Sequence, residues 1–190
     1  MPTPDTATTT PVATAYTAAV EPLLAVADAV PADRWDAASP CEGWTARDVV
    51  AHVVDTQREF LTGRGVDLGP APDVAADPAA ALRAHAERVL AAVGDPVVAD
   101  ARSDGFSGPT TVGETLEQFY VWDLVPHRWD LARATGQDAG LTDAELDRLE
   151  AGARSWGDAL YTEGICRPGV EVPDGAGREA RVLALIGRRA

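Results

Sequence analysis

Asp123 and His127 stand four residues apart in the middle of an otherwise apolar helical stripe, and that placement is the first chemical signal in this chain of 190 residues. Each residue turns a helix by roughly 100°, so positions 116, 119, 120, 123, 124, 127, 131 and 134 share one sector. The other six are Leu116, Phe119, Tyr120, Leu124, Leu131 and Ala134, an ordinary core-facing set. A carboxylate turned toward a core is costly unless a cation or several donors meet it. Spacing of i and i+4 sets both side chains on adjacent turns, the arrangement used by metal ligands on bundle helices. An Asp–His pair that only satisfies itself is the bland alternative. The third ligand is expected to be His52, at the border of the apolar arc formed by Val49 and Val53. Alone, such a histidine is more often a half-exposed surface residue, so its weight comes from the other two. Two histidines and one carboxylate are the donor set of open catalytic metal sites, where water or substrate fills the remaining position.

Other residues invite a role beside these. Asp130, three residues after His127, could hold the free ring nitrogen of that ligand, and a surface Asp explains it equally well. Trp44 and Trp129 could pack around the site, although a buried Trp is more often plain core. Cys41 precedes a helix N-terminus, where thiolates are stabilised, but a small buried cysteine is the simpler account. Arg47, Arg128 and Arg133 could recognise a carboxylate or serve in surface ion pairs. His85, next to Arg83, Glu87 and Arg88, reads as facing solvent. No Ser–His–Asp order, Gly-rich phosphate loop or paired-carboxylate pattern rises above chance.

The elements that must position these groups are helical. Tyr16, Val20, Leu23, Leu24 and Ala27 recur at three and four between Pro11 and Val30. Thr45 with Asp48 three residues on reads as an N-cap with an acidic first turn, opening a helix that runs to Gly63. A third helix is expected over 78–93. Residues 94–113 hold Pro96, Gly105, Gly108 and Pro109 and read as loop, with an extended segment over 96–101. A fourth helix spans about 112–134 and ends at Gly136 in the left-handed cap conformation. Pro126 lies within it and withholds the amide that would bond to the Trp122 carbonyl, so a kink is expected there. Thr142 caps a fifth helix with Leu146, Leu149, Ala153, Trp156 and Leu160 inward, and residues 178–186 form a last short one. The class is mainly α, with the long helices most simply arranged as an antiparallel bundle and short extra helices at the C-terminal end. Residues 1–10 read as a disordered tail and 11–190 as a single domain.

Composition excludes several partners. Sixteen basic residues, all of them Arg, against 30 acidic ones leave a formal net charge of −14. A surface this acidic repels phosphate backbones and anionic lipids, which argues against nucleic acid and membrane. The N-terminus has neither the basic nor the apolar region of a signal peptide. Two distant cysteines, Cys41 and Cys166, make no disulfide framework, so a reducing cytoplasm fits.

The run Ser39-Pro40-Cys41-Glu42-Gly43-Trp44-Thr45-Ala46-Arg47-Asp48-Val49-Val50-Ala51-His52 resembles the second-helix signature of the actinobacterial DinB-like proteins named after the mycothiol-dependent maleylpyruvate isomerase N-terminal domain. The run from Asp123 through Pro126, His127, Trp129 and Asp130 to Gly136 resembles their second signature. Val172-Pro173-Asp174 with Arg181 to Arg188 is similar to the tail of one metal-binding subgroup. The resemblance implies a DinB-like four-helix bundle and a divalent ion, usually zinc, on a His plus an acid-xxx-His pair, which fall here on His52, Asp123 and His127. The isomerase carries Glu at the acidic position, so Asp123 is a shorter arm, as is common in the subgroup. The chain is also expected to lack the isomerase's extra C-terminal domain, which weakens transfer of that reaction.

The function expected from this is a thiol-dependent S-transferase or isomerase, with mycothiol as co-substrate and an electrophilic small molecule as partner. A thiol on zinc is deprotonated, and its thiolate could add to an electrophilic carbon, ending in conjugation or in cis–trans isomerisation. Three alternatives stand beside it: a hydrolase using metal-bound hydroxide, a non-enzymatic metal-binding or stress-related bundle, and non-haem iron chemistry on the same donors. Nickel or iron could replace zinc, and the chain is expected to be a monomer or homodimer.

Overall fold

The helices begin where the capping residues say they should. The computed structural model describes residues 9–105, 108–162 and 165–190. Helix α1 (Pro11–Asp28) has Thr10 as N-cap and Pro at its first position. Thr10 is therefore not tail: it is buried, accepts from the Ala13 amide and donates to the Val93 carbonyl at 2.6 Å. Of the rest of the expected tail, Thr9 is exposed and residues 1–8 lie outside the described residues. Helix α2 (Ala46–Thr62) opens with a full capping box between Thr45 and Asp48. The hydrogen bonds from Thr45 hold the Asp48 carboxyl below its ordinary range. Helix α3 (Pro78–Val93) is capped by Asp77.

The segment expected to be extended over 96–101 is instead a single helical turn, α4 (Pro96–Ala99), with Asp95 accepting from the Val97 amide. Asp followed by Pro is an N-cap and first-turn pair, and that local chemistry wins over the β-branched Val97 and Val98. The extended backbone comes later, as an antiparallel hairpin of β1 (Arg102–Gly105) and β2 (Gly108–Thr111), with Arg102 opposite Thr111.

The fourth long helix is built in three parts. It starts as α5 (Val112–Thr115) and widens into a π-turn segment over Leu116–Val121. It then resumes as α6 (Trp122–Thr135), with Pro126 inside it. The wide turn therefore lies about one and a half to three turns before Pro126, and an inserted residue there re-aims the side chains that follow. Gly136 closes the helix at φ 77°, the left-handed cap expected of it.

Helices α1, α3, α2 and α6 pack as a closed ring, each against two neighbours. Tyr16, Leu23, Val49, Val53, Leu61, Leu82, Val89, Leu116, Leu124 and Leu131 fill its centre. This is a mainly α, four-helix bundle. Beyond it, α7 (Asp143–Trp156) and α8 (Arg178–Leu185) form a C-terminal cap on the outer face of α6. Trp122, Val125 and Trp129 of α6 meet Leu146, Leu149, Leu160, Val182, Leu183 and Ile186 there in a second apolar cluster. Leu160, expected on the inner face of the fifth helix, sits in a following 3₁₀ turn (Gly157–Tyr161) and is buried all the same.

Helix α6 is thus covered on two sides, by the bundle and by the cap. Arg128 is buried in the second interface at 1% exposure and makes two bonds, of 2.9 and 2.8 Å, to Glu145, which also caps α7 through Thr142. Among the described residues no helix is long and apolar enough to cross a membrane.

Candidate metal centre

His52 reaches the site from the middle of α2, and Asp123 and His127 from successive turns of α6. The three converge on one carboxylate oxygen. Asp123 Oδ2 lies 3.1 Å from His127 Nε2 and 3.5 Å from His52 Nε2. One donor atom from each residue falls within 4.8 Å of the others, close enough to share an ion. The chemistry of the set fits a divalent metal, since two imidazole nitrogens and one carboxylate oxygen leave positions free for another ligand.

Exposure divides the trio. His127 is buried, with 6% of its side chain accessible, while Asp123 keeps 33% and His52 27%. The open side faces a cleft of about 1150 Å³. Burial disfavours the ionised Asp123, yet the charge of His127 and the hydrogen bonds from both histidines outweigh it and hold the carboxyl far below its ordinary value. Burial likewise disfavours the His127 cation, but the neighbouring Asp123 charge, with hydrogen bonds to Asp123 and Asp130, raises it well above 6.5. A cation gathered around one carboxylate is the charge arrangement that a divalent ion would replace.

Asp130 stands behind His127, with Oδ2 3.0 Å from Nδ1. Its carboxylate is wholly buried, and Arg188 grips both oxygens, Nε on Oδ1 at 2.9 Å and Nη2 on Oδ2 at 2.6 Å. Burial would raise Asp130, but the His127 hydrogen bond and the Arg188 charge lower it to about 2. An ionised Asp130 accepts the Nδ1–H of His127 while Nε2–H donates to Asp123, so the proton an incoming ion would displace is the one on Nε2. Cys41 completes this shell, its Sγ donating to Asp130 Oδ2 at 3.3 Å. Cys41, His127 and Asp130 form a second group spaced for an ion. The Arg188 guanidinium already sits on that carboxylate, so this side is a hydrogen-bonded support.

The loop before α2 brings Cys41 and Trp44 here. It closes through the Ser39 amide on the Trp44 carbonyl at 2.9 Å, and Gly43 turns it at φ 78°, which a side chain would strain. The Trp44 ring lies 4.8 Å from the His52 ring and 6.0 Å from the His127 ring, shielding both. Trp129 does not reach the site: it packs in the outer cluster and donates to Glu179 at 3.2 Å. Arg47 pairs with Asp36, Arg128 with Glu145, and Arg133 is exposed, so none of these three lines the cleft.

His85 corrects a sequence expectation. It is fully buried, not solvent-facing, and donates Nε2–H to Gln57 Oε1 at 3.1 Å. The same oxygen accepts the Tyr16 hydroxyl at 2.8 Å. Burial, helped by the charges of Arg58 and Arg88, lowers His85 to about 4. Sequence reasoning met Arg188 only as the end of a subgroup-like tail and missed its role, and it missed the aromatic cleft wall of Phe119, Tyr120, Trp122 and Trp156. Phe119 and Tyr120 were legible as apolar but were assigned to the core; both are only half-buried.

Fold and site define a helical-bundle protein with a two-histidine, one-carboxylate cluster at the foot of an open cleft. The chain belongs to the mycothiol maleylpyruvate isomerase N-terminal domain family, whose profile matches residues 16–132, from α1 through the donor pair on α6. Two proteins from two strains of Mycobacterium tuberculosis, both called uncharacterized, are each 35% identical over 147 residues, covering 72% of this chain and 75% of the relative. No solved structure matches the chain significantly.

Proposed function

We propose that this chain is a metal-dependent enzyme of low-molecular-weight thiol chemistry, a transferase or isomerase that uses mycothiol. His52, Asp123 and His127 hold its divalent ion. The observation that carries the reading is the convergence of both Nε2 atoms on Asp123 Oδ2 at the foot of a cleft large enough for two reactants. Membership of a family named for mycothiol chemistry supplies the thiol. The open cleft favours a working site over an ion that only stabilises the fold.

When bound, a divalent ion such as zinc supplies a Lewis acid that lowers the pKa of a coordinated thiol. The chain's own residues prepare that chemistry. Asp130 fixes the His127 tautomer by accepting from Nδ1, and Arg188 keeps Asp130 ionised and still. Trp44 covers the two imidazoles and excludes water from their outer faces. Cys166 also lines the cleft, and burial raises its thiol, which keeps it protonated and out of competition with the substrate thiol.

Elemental analysis of the native, untagged protein beside the Asp123→Ala and His52→Ala variants tests the site. About one equivalent of metal in the native protein, lost in both variants, is expected. Native protein that neither carries nor takes up zinc, nickel or iron would remove the proposal. Calorimetry of mycothiol against metal-loaded protein tests the thiol separately, and no heat of binding there would leave a metal protein of other chemistry.

A further inference from the structure

The second reactant must meet the rest of the cleft, and its walls are not those of an anion site. Three arginines line it, and among the described residues each is already engaged. Arg188 grips Asp130, and Arg167 pairs with Glu42. Arg64 lies over the Phe60 ring at 3.9 Å and donates to the Phe60 carbonyl and the Ser103 hydroxyl. Glu42, Glu59 and Asp123 add negative charge along the same walls. A small dicarboxylate entering here would find two of the three guanidiniums already on carboxylates, and Glu59 and Asp123 facing it as well.

The apolar side is built of flat rings. Phe119 and Trp156 stack at 5.3 Å, Trp122 meets Trp156 edge-on at 4.6 Å, and Tyr120 leans on Phe60 at 4.6 Å. Phe119 and Tyr120 belong to the π-turn segment, whose extra residue lets two neighbouring rings both border the cleft. At the mouth stand Tyr161, 36% exposed, and Ile165, 61% exposed, two of the three large apolar side chains left open to solvent among the described residues. His52 and Asp123 line the same cleft.

We infer that the second reactant of this site is an uncharged, flat aromatic molecule, packed against Phe119, Tyr120 and Trp156 with its reactive end toward the donor trio. This rests on the proposed function for its chemistry but not for its binding, because the aromatic wall is present whether or not an ion is held.

The test uses 2-naphthol as an uncharged aromatic probe and maleate as a small dianion. Both are titrated by calorimetry and by quenching of tryptophan fluorescence into native protein and into Asp123→Ala, Phe119→Ala and Ile165→Glu. 2-Naphthol is expected to bind the native protein and Asp123→Ala alike, about tenfold more weakly to Phe119→Ala, and more weakly to Ile165→Glu, a surface change that leaves the fold alone. Maleate is expected not to bind. Naphthol affinity unmoved by both wall substitutions, no naphthol binding at all, or maleate binding as tightly as naphthol would each overturn the inference. Native protein that holds one metal ion but ignores naphthol defeats this inference alone. Metal-free native protein that still binds naphthol defeats the metal reading alone.

Discussion

His127 and His85 are both nearly inaccessible, at 5% and 0% exposure, yet their surroundings drive their protonation in opposite directions. His127 sits between the carboxylates of Asp123 and Asp130 and is raised well above 6.5. His85 has one neutral partner, the Gln57 carbonyl oxygen, and is lowered to about 4. Both clusters use α2: His52 on one side, Gln57 on another. The first cluster opens to a cleft and concentrates charge. The second is sealed, neutral and shared with Tyr16. Burial alone therefore says nothing about the role of a histidine here; the charge of what it touches does.

The largest effect that would sharpen this contrast is on metal affinity. Asp123→Ala is expected to cost more than the roughly tenfold to hundredfold loss of an outer hydrogen-bond partner, with the fold intact by circular dichroism. Gln57→Leu should do the reverse. It leaves the Tyr16 hydroxyl and the His85 Nε2–H buried without acceptors and destabilises by about 3 kcal/mol in urea unfolding, without removing a donor of the metal cluster. If Gln57→Leu abolished metal binding while Asp123→Ala unfolded the chain, the two clusters would have been assigned the wrong way round.

A pH series probes the sealed cluster on its own. The folded value for His85, about 4, lies below the 6.5 of the unfolded chain. Between those values the unfolded chain takes up a proton that the folded one refuses. Stability should therefore fall as pH drops from 6.5 toward 4, by about 3 kcal/mol in all. His85→Leu should lose that part of the slope, whatever its absolute stability. An unchanged slope would mean that other groups carry the acid sensitivity.

Smaller effects come from the supports. Arg188→Ala frees Asp130 and is expected to weaken metal binding about tenfold, with zinc competition as the readout. Gly152 gives one of similar size. A Cβ there would overlap the Trp122 indole nitrogen, so Gly152→Ala should destabilise the C-terminal cap by about 1–3 kcal/mol. Metal content should not change, because the atoms nearest a Cβ at Gly152 all belong to Trp122 and none to the donor trio.

Much of the positioning was legible locally. The Thr45–Asp48 capping box, Pro at the start of α3 and Gly136 after α6 set helix ends through bonds within a few residues, and such bonds are readable in a sequence. Asp95-Pro96 was equally readable as a helix start, and the β-branched pair after it obscured that. The burial of His85 also had a local signal. Ala81, Leu82 and Val89, at i−4, i−3 and i+4, are all buried, whereas its charged near neighbours in sequence point elsewhere.

By itself, then, the sequence determined the helical class, the helix ends and the i, i+4 pairing of Asp123 with His127, because each depends on contacts within one or two turns. Tertiary structure alone decided that His52 meets that pair across the bundle. It alone decided that Arg188, 58 residues from Asp130, returns to clamp it. It decided too that Phe119 and Tyr120 border a cleft instead of filling the core. Those outcomes depend on how α2, α6 and the C-terminal cap pack, and packing joins residues whose separation in sequence carries no period to read.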